Sequence, residues 1–533
     1  MFKKTAVIRH LFGGGWATDF GPTVDVSPDQ SGKVVIPFLL EANDCIYELD
    51  GGPHKIGGTT RVNSSAVASG AVITGLYDYW RQGTVGSPAR RRVLHAGTVM
   101  LTDTDDGAFT TTLFTGLNSG SVPAYSTFDD LLIISSDGTA DVPRSWDQST
   151  AQNLAGSPPR FSFSCTHKNR SWAAGNFTAP SRLYYSANVD PEDWVGAGSG
   201  SIDIDTNDGD IITGIASHQN TLWVFKGPNK GSIHRITGSS PTGADGFARI
   251  VFVRGLGAAW QNAIFNFGND LGFVSQYGTI HSLSSTANYG DFLSASLSVG
   301  FNSWLVQHLN YNRLRYISCA TDPIAGLVYF TMSIDTSSTN NICLVMDYRQ
   351  APNIIRWSKV PAYDMASLNL FVDSSGLRRV LGGGNDGFVR RLNIADRSID
   401  NTTALSFQVK TPHMNYGQPI TTKTISIASV GINPKGNFNA TFGWTRDNNA
   451  QQTYVFTQGG GDVLGNATAN QFTLDTSTLS GAQYVDRFME LQEGGDARSF
   501  QYEVTQSGVN QDIEIHSISV ALTPSGISTE DTV

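Results

Sequence analysis

The chain has 533 residues, of which 15% are charged and 56 are glycine, with a formal net charge of −10. That length supports a large core and more than one domain. The paucity of Glu/Lys/Ala/Leu-rich stretches excludes a helical protein, and the acidic balance disfavours a nucleic-acid wrapper, since affinity for phosphates comes from Lys and Arg.

The start, "MFKKTAVIRHLFGGGW", has two lysines but too short an apolar stretch for a signal peptide, and no run of about 18 apolar residues predicts a membrane-spanning helix. Residues 1–74 are expected to form an N-terminal arm, with strands in 35–75 closing a ring, and the glycine run Gly13–Gly15 suits an arm lying along a neighbouring subunit. Cys45, Cys165, Cys319 and Cys343 are far apart and form no CxxC pair, which predicts buried, reduced thiols and no zinc site.

From 75 to 398 similar units recur, each a polar turn followed by an apolar strand, another turn and a second strand. They start at His95, Phe128, His167, His218, Phe267, Asp322 and Asp373, at intervals of 33 to 55 residues by those numbers. Units of this size holding several short strands are propeller blades. Asp-Gly, Gly-Asn and Asn-Asp pairs stand where hairpins need positive φ. Runs such as "LWVFK" (222–226) and "LLII" (131–134) suit strands covered on both faces. The fold class predicted is all-β, a β-propeller of six or seven blades. Residues 399–533 then change to period-two alternation, as in "KTISIASVGI" (423–432), "QFTLD" (471–475) and "SFQYEVTQSG" (499–508), predicting a C-terminal antiparallel β-sandwich. This region holds 13 acidic and 6 basic residues, net −7, leaving −3 for residues 1–398.

"SIDIDTNDGDIITGI" (201–215) is the one metal candidate, through Asp203, Asp205, Asn207 and Asp210. A calcium loop counted from Asp203 needs Gly at its sixth position and Glu at its twelfth; those are Asp208 and Gly214, so an inter-strand Asx turn is the stronger reading. "TDTDDGAF" (102–109) and "SSDGTADVPRSW" (135–146) are similar to the Asp-box turn of sialidase propellers without its full spacing. The basic clusters at 89–92, 377–380 and 389–392 read as solvated loop charges. "GPNKGS" (227–232) lacks the phosphate-loop frame. His95, His167 and His218 share a repeat position and so read as structural, and the carboxylate pairs Asp105/Asp106 and Asp129/Asp130 sit in turns. No catalytic constellation and no cofactor is predicted.

Four stretches, in order, resemble the tail nozzle, or tail tubular, proteins of short-tailed bacteriophages. "GGGWATDFGP" (13–22) precedes "EANDCIYELDGGPHKIGGTTRVN" (41–63), with Asn43, Gly51, Gly52, Lys55, Gly57 and Gly58 at the family's N…G…K-x-x-G positions. "GSPPRFSFSCTHKNRSWAAG" (156–175) carries N-R-x-W-x-x-G, and "SRLYYSANVDPEDW" (181–194) carries L-x-x-S…D-P-x-x-W. "IDIDTNDGDIITGIASHQNTLWVFKGPNKGSIHRITG" (202–238) carries G-D-x-I-T-G, L-x-V-F-K and I-x-x-I-x-G. The resemblance covers 13–238 and puts a blade loop at 203–210. It implies a virion protein, made in the host bacterial cytoplasm, whose copies form a hexameric ring at the distal end of a short tail. Such a ring contacts an adaptor on the portal side and tail fibres or spikes, and double-stranded DNA passes through it without specific binding. The alternative is a receptor-binding or fibre-anchoring virion protein whose sandwich stacks sugar on aromatics such as Trp444 or Tyr454, although a place in the sandwich core is the stronger reading of both.

Overall fold

The computed structural model describes residues 5–82, 89–103, 108–289, 295–447, 449–459, 484–491 and 496–527. It divides into two compact units. One comprises Arg61–Cys343 and Tyr363–Arg391; the other Met1–Thr60, Leu344–Ala362 and Leu392–Val533. No helix among the described residues is long and apolar enough to cross a membrane.

The first unit is a β-propeller. Four four-stranded antiparallel sheets follow one another, beginning with the strands Ile73–Arg81, Ala124–Phe128, Phe163–His167 and Ile211–His218. A three-stranded sheet starts at Ile264–Phe267, followed by the hairpin Ser318–Asp322/Leu327–Met332 and by Ser367–Val372 paired with Arg378–Gly383. This succession lies within the expected six or seven blades. Faces of adjacent sheets bury each other: Tyr79, Val93 and Met100 pack with Leu132, Ile134 and Trp146, and Phe163, Trp172 and Leu183 with Ile212, Leu222 and Val224. Strands such as Leu327–Met332 are therefore buried along their whole length, and continuous apolar runs replace alternation. The ring closes where Ser367 Oγ donates to Ile73 O (2.7 Å) and Asn369 Nδ2 to Leu76 O (2.7 Å).

Of the expected corner pairs, Gly-Asn turns the hairpin in which Phe267 pairs with Asp270, with Gly268 at φ 54°, while three other corners use pairs that were not expected. Phe128 pairs with Leu131, His167 with Arg170 and His218 with Thr221, so two residues turn each corner. Both have positive φ in every case: Asp129/Asp130 at 50° and 57°, Lys168/Asn169 at 46° and 56°, Gln219/Asn220 at 47° and 58°. These are type I′ turns, which match the twist of the flanking strands. Asn220→Ala is expected to cost about 1 kcal/mol in chemical denaturation, because a Cβ without a polar side chain resists the left-handed region. Asn220→Gly should be close to neutral.

His95 breaks the pattern. It lies in the second strand of its sheet, Ala89–Ala96, whereas His167 and His218 end first strands. The first sheet begins earlier, at "ITGL" (73–76), which repeats as "ITGI" (212–215). Both repeats carry a register shift at the glycine, and their threonines have equivalent bonds: Thr74 Oγ1 donates to Ser121 O and Thr213 Oγ1 to Ala258 O, each 2.7 Å. A Cβ on Gly75 would lie 2.3 Å from Pro123, and one on Gly214 2.5 Å from Ile264, so neighbouring blades press on the inner strands there.

The second unit is the sandwich, with boundaries other than 399–533. Strand Ala6–Phe12 pairs antiparallel with Glu514–Ile527 and parallel with Lys33–Ile36. Glu514–Ile527 pairs in turn with Thr421–Asn433. The facing sheet contains Phe407–Lys410, Phe500–Gln506 and Asn439–Arg446. Buried between the sheets, the His10 ring lies 5.2 Å from Tyr502, and its Nε2 is 3.0 Å from Tyr416 Oη. The expected arm 1–74 is thus corrected: residues up to Thr60 fold into the sandwich unit, where Trp16 N donates to Trp357 O and Leu39 N to Gly15 O. Residues 344–362, expected in the propeller, belong with them. Of the expected ring-closing segment, the end runs beside a propeller strand: Val62 N donates to Val389 O (2.8 Å), and Val389 N to Asn63 Oδ1 (2.7 Å). The stretch 471–475 lies outside the described residues.

Candidate functional site: the motif-bearing loop and the propeller cavities

The acidic stretch 203–210 joins strand Gly200–Asp203 to inner strand Ile211–His218. Its candidate ligands serve separate partners. Asp203 pairs with Arg182 at 2.7 Å, and that bond holds its carboxyl below the usual range. Asp205 pairs with Arg249 and, at 3.3 Å, with Arg254. Asn207 is exposed at φ 64°. Asp210 is buried and accepts the backbone N–H groups of Asn229 (2.7 Å) and Gly231 (2.9 Å), tying down the "GPNKGS" loop. These residues form a turn that braces its own blade. Among the described residues, the acid/imidazole group close enough to share a cation is Glu48, His54 and Glu514 in the sandwich unit. There both His54 nitrogens are taken, by Glu48 and Asp512, and Glu514 pairs with Lys435 at 2.6 Å, so the cluster is an ion-pair network.

Lys226, the last letter of L-x-V-F-K, is fully buried. Its ammonium donates to Ile204 O (2.8 Å), Asp205 O (2.7 Å) and Asp208 Oδ2 (2.8 Å). Three donors meet three acceptors, which is what a buried ammonium requires. The N-R-x-W-x-x-G residues are likewise structural. Asn169 takes the second I′ position, Arg170 donates to Ser186 O and Gly198 O, and Trp172 Nε1 donates to His167 O. In D-P-x-x-W, Trp194 Nε1 donates to Pro191 O and the ring lies 5.5 Å from Phe161.

The remaining sequence candidates resolve individually. Asp129 and Asp130 are turn residues; Asp105 and Asp106, with half of the first Asp-box-like stretch (104–107), lie outside the described residues. In the second such stretch Asp137 Oδ1 accepts from the N–H groups of Thr139, Ala140 and Asp141, an Asx turn. The basic clusters are largely paired with acids: Arg92 with Asp103, Arg390 with Asp386 at 2.6 Å, and Arg379 with Asp373 at 3.5 Å. Trp444 is 5% exposed and stacks on Phe442 in the sandwich core, so it is not presented to a saccharide; Tyr454 is 42% exposed.

The propeller's inner strands line two adjoining cavities of about 210 and 340 Å³. Their walls include Tyr77, Tyr125, Ser126, Gln261, Asn266 and Asn369, and carry no carboxylate, amine or imidazole. Tyr77 and Tyr125 stack at 5.1 Å, and burial raises both phenols. Burial also pushes the Cys165 thiol on this wall up to about 12. Burial thus favours the neutral forms of these phenols and of this thiol.

No family model and no curated protein matches the chain. Similar solved structures include one titled "YCF48 bound to D1 peptide" (11% identity, TM-score 0.37, covering 64% of this chain and 98% of that one). Another is Chaetomium thermophilum Raptor (11%, 0.38, 64% and 29%). A third is the N-terminal domain of Nup159 (9%, 0.34, 66% and 98%).

Proposed function

We propose that the chain is a non-catalytic structural protein of a phage virion, assembled as a hexameric ring at the distal end of a short tail. The observation that carries this reading is the succession of four motif-bearing stretches over 13–238, in the order found in tail nozzle proteins. Supporting it, the propeller residues of those motifs build turns, caps and blade contacts instead of a reactive centre, as a scaffold requires. The net charge of −10 also suits a conduit along which DNA slides, since like charge keeps phosphate from sticking. In this role the protein contacts an adaptor on the portal side and fibres or spikes at the tip, and is made in the host bacterial cytoplasm.

Antibody labelling of intact particles, viewed by electron microscopy, tests the proposal. Label confined to the tip of a short tail is expected. Label on fibres favours the receptor-binding or fibre-anchoring reading, and an unlabelled particle population in a lysate rich in the protein refutes both.

A further inference from the structure

The last strands of the four four-stranded blades are sheet edges, and three of them are short. Thr111–Phe114, Ala151–Asn153 and Gly200–Asp203 have four, three and four residues. Shortness is one way a protein keeps an edge from pairing with another chain. The fourth, Ala248–Arg254, has seven residues. It pairs with Ser232–Thr237 on one side and, among the described residues, with no strand on the other. A row of backbone N–H and C=O groups along it therefore lacks a partner strand. The edge also carries Ile250 and Val251, 38% and 36% exposed.

Its side chains sort by face. Ile250 stands opposite Arg235, which is exposed, and residues paired across two strands share a face. Arg249 and Val251, one residue to either side of Ile250, lie on the other face, where Arg249 pairs with Asp205. Each face thus offers one apolar and one basic group. A bulge follows: the pairing shifts between Ile233 and His234, and the Phe252 ring turns in against Trp223 at 4.9 Å. The straight part of the edge is therefore Ala248–Val251, with the Arg254 side chain, 66% exposed, beyond it.

Charge on this edge is unbalanced. Arg235, Arg249 and Arg254 stand against Asp205 and, in the turn ahead of the strand, Asp245. The nearby Asp208 is matched by Lys226. In a chain of net charge −10, this is a local excess of positive charge.

We propose that this edge takes up an extended acidic segment of a partner polypeptide, which adds a strand to the outside of the blade. The segment's main chain pairs with Ala248–Val251, its apolar side chains lie against Ile250 and Val251, and its carboxylates meet Arg235 and Arg249. Backbone pairing supplies affinity, and the positive excess selects an acidic partner over a basic one. The proposal does not depend on the virion reading.

The test is fluorescence polarisation of the full chain with a labelled Val-Val-Glu-Glu-Val-Val-Glu-Glu peptide. Saturable binding is expected. The same peptide with every Glu replaced by Lys should bind at least tenfold more weakly, and so should the original peptide N-methylated at every backbone nitrogen, which cannot donate to a strand. Ile250→Lys and Arg235→Glu should each weaken binding at least fivefold, with unchanged circular dichroism certifying the fold. No saturable binding up to about 1 mM peptide would overturn the proposal. Equal affinity of the N-methylated peptide would overturn strand addition, and equal affinity of the lysine peptide would overturn the acidic partner. Equal affinity in folded Ile250→Lys would place the binding elsewhere and overturn the site. Sedimentation of the chain alone covers self-pairing: a dimer abolished by Ile250→Lys would show that the edge meets a second copy, and would overturn the proposal.

Discussion

Lowering the pH from 7 to 4 is expected to remove most of the propeller's stability, opposed by Asp78 and Asp103, whose carboxyls burial holds above the usual range. Four propeller histidines, His95, His167, His234 and His281, are buried and held neutral; burial lowers each from 6.5 to about 4. His281 Nε2 meets Thr279 Oγ1 at 2.8 Å and His167 Nδ1 meets Ser217 Oγ at 2.8 Å, so hydroxyl contacts replace the water an imidazolium would need. Between pH 6.5 and 4 the unfolded chain takes up protons that the folded chain refuses. Stability is therefore complete above about 6.5, falls as pH drops, and stops falling on this account below about 4. At 1.36 kcal/mol per pH unit, each histidine contributes roughly 3 kcal/mol over the window, and the four together rival the whole stability of a typical domain. Urea unfolding at pH 7, 6, 5 and 4, followed by tryptophan fluorescence, checks this. A flat profile down to pH 4 would sink it. His54, in the sandwich unit, has the opposite sign: burial opposes its charge, yet the bonds to Asp512 and Glu48 raise it. Its contribution is present below 6.5 and lost as pH rises through its raised value.

Replacing Lys226, in the strand Thr221–Gly227, should give the largest single-site loss among the residues that hold the acidic loop. Lys226→Met keeps the aliphatic stem and deletes the ammonium, leaving Ile204 O, Asp205 O and the Asp208 carboxylate without their donor. Breaking a buried pair by removing one partner costs about 3–5 kcal/mol, far above the roughly 1 kcal/mol of an exposed pair such as Arg182–Asp203. The exposed neighbour Lys230→Met should stay within about 0.5 kcal/mol of the parent. Denaturant midpoints of the three proteins, with equal m-values, decide the matter. Equal loss in both variants would mean that the Lys226 contacts do not stabilise the blade.

Local chemistry was legible in the sequence. The unbroken apolar runs follow from burial on both faces, and the Gly268-Asn269 corner follows from the freedom of glycine at positive φ, whereas the Asp-Asp, Lys-Asn and Gln-Asn corners were not among the expected pairs. Those features identified the propeller, and sandwich strands such as Phe407–Lys410 and Phe500–Gln506 alternate as period two demands. The failed calcium spacing at 203–214 likewise pointed to a turn. The repeated "ITGL" and "ITGI" were a readable signal for where the first blade begins, and His95 was the wrong anchor because a histidine by itself does not say which strand of a sheet it ends. What only the tertiary structure decided was long-range. The pairing of Ala6–Phe12 with Glu514–Ile527 joins segments some five hundred residues apart, and nothing in either strand names its partner. The assignment of 344–362 to the sandwich unit has the same origin. So do the partners of Asp210 and Lys226. A sequence specifies which groups need partners; which groups meet depends on contacts between distant segments, whose geometry is set by the packed fold.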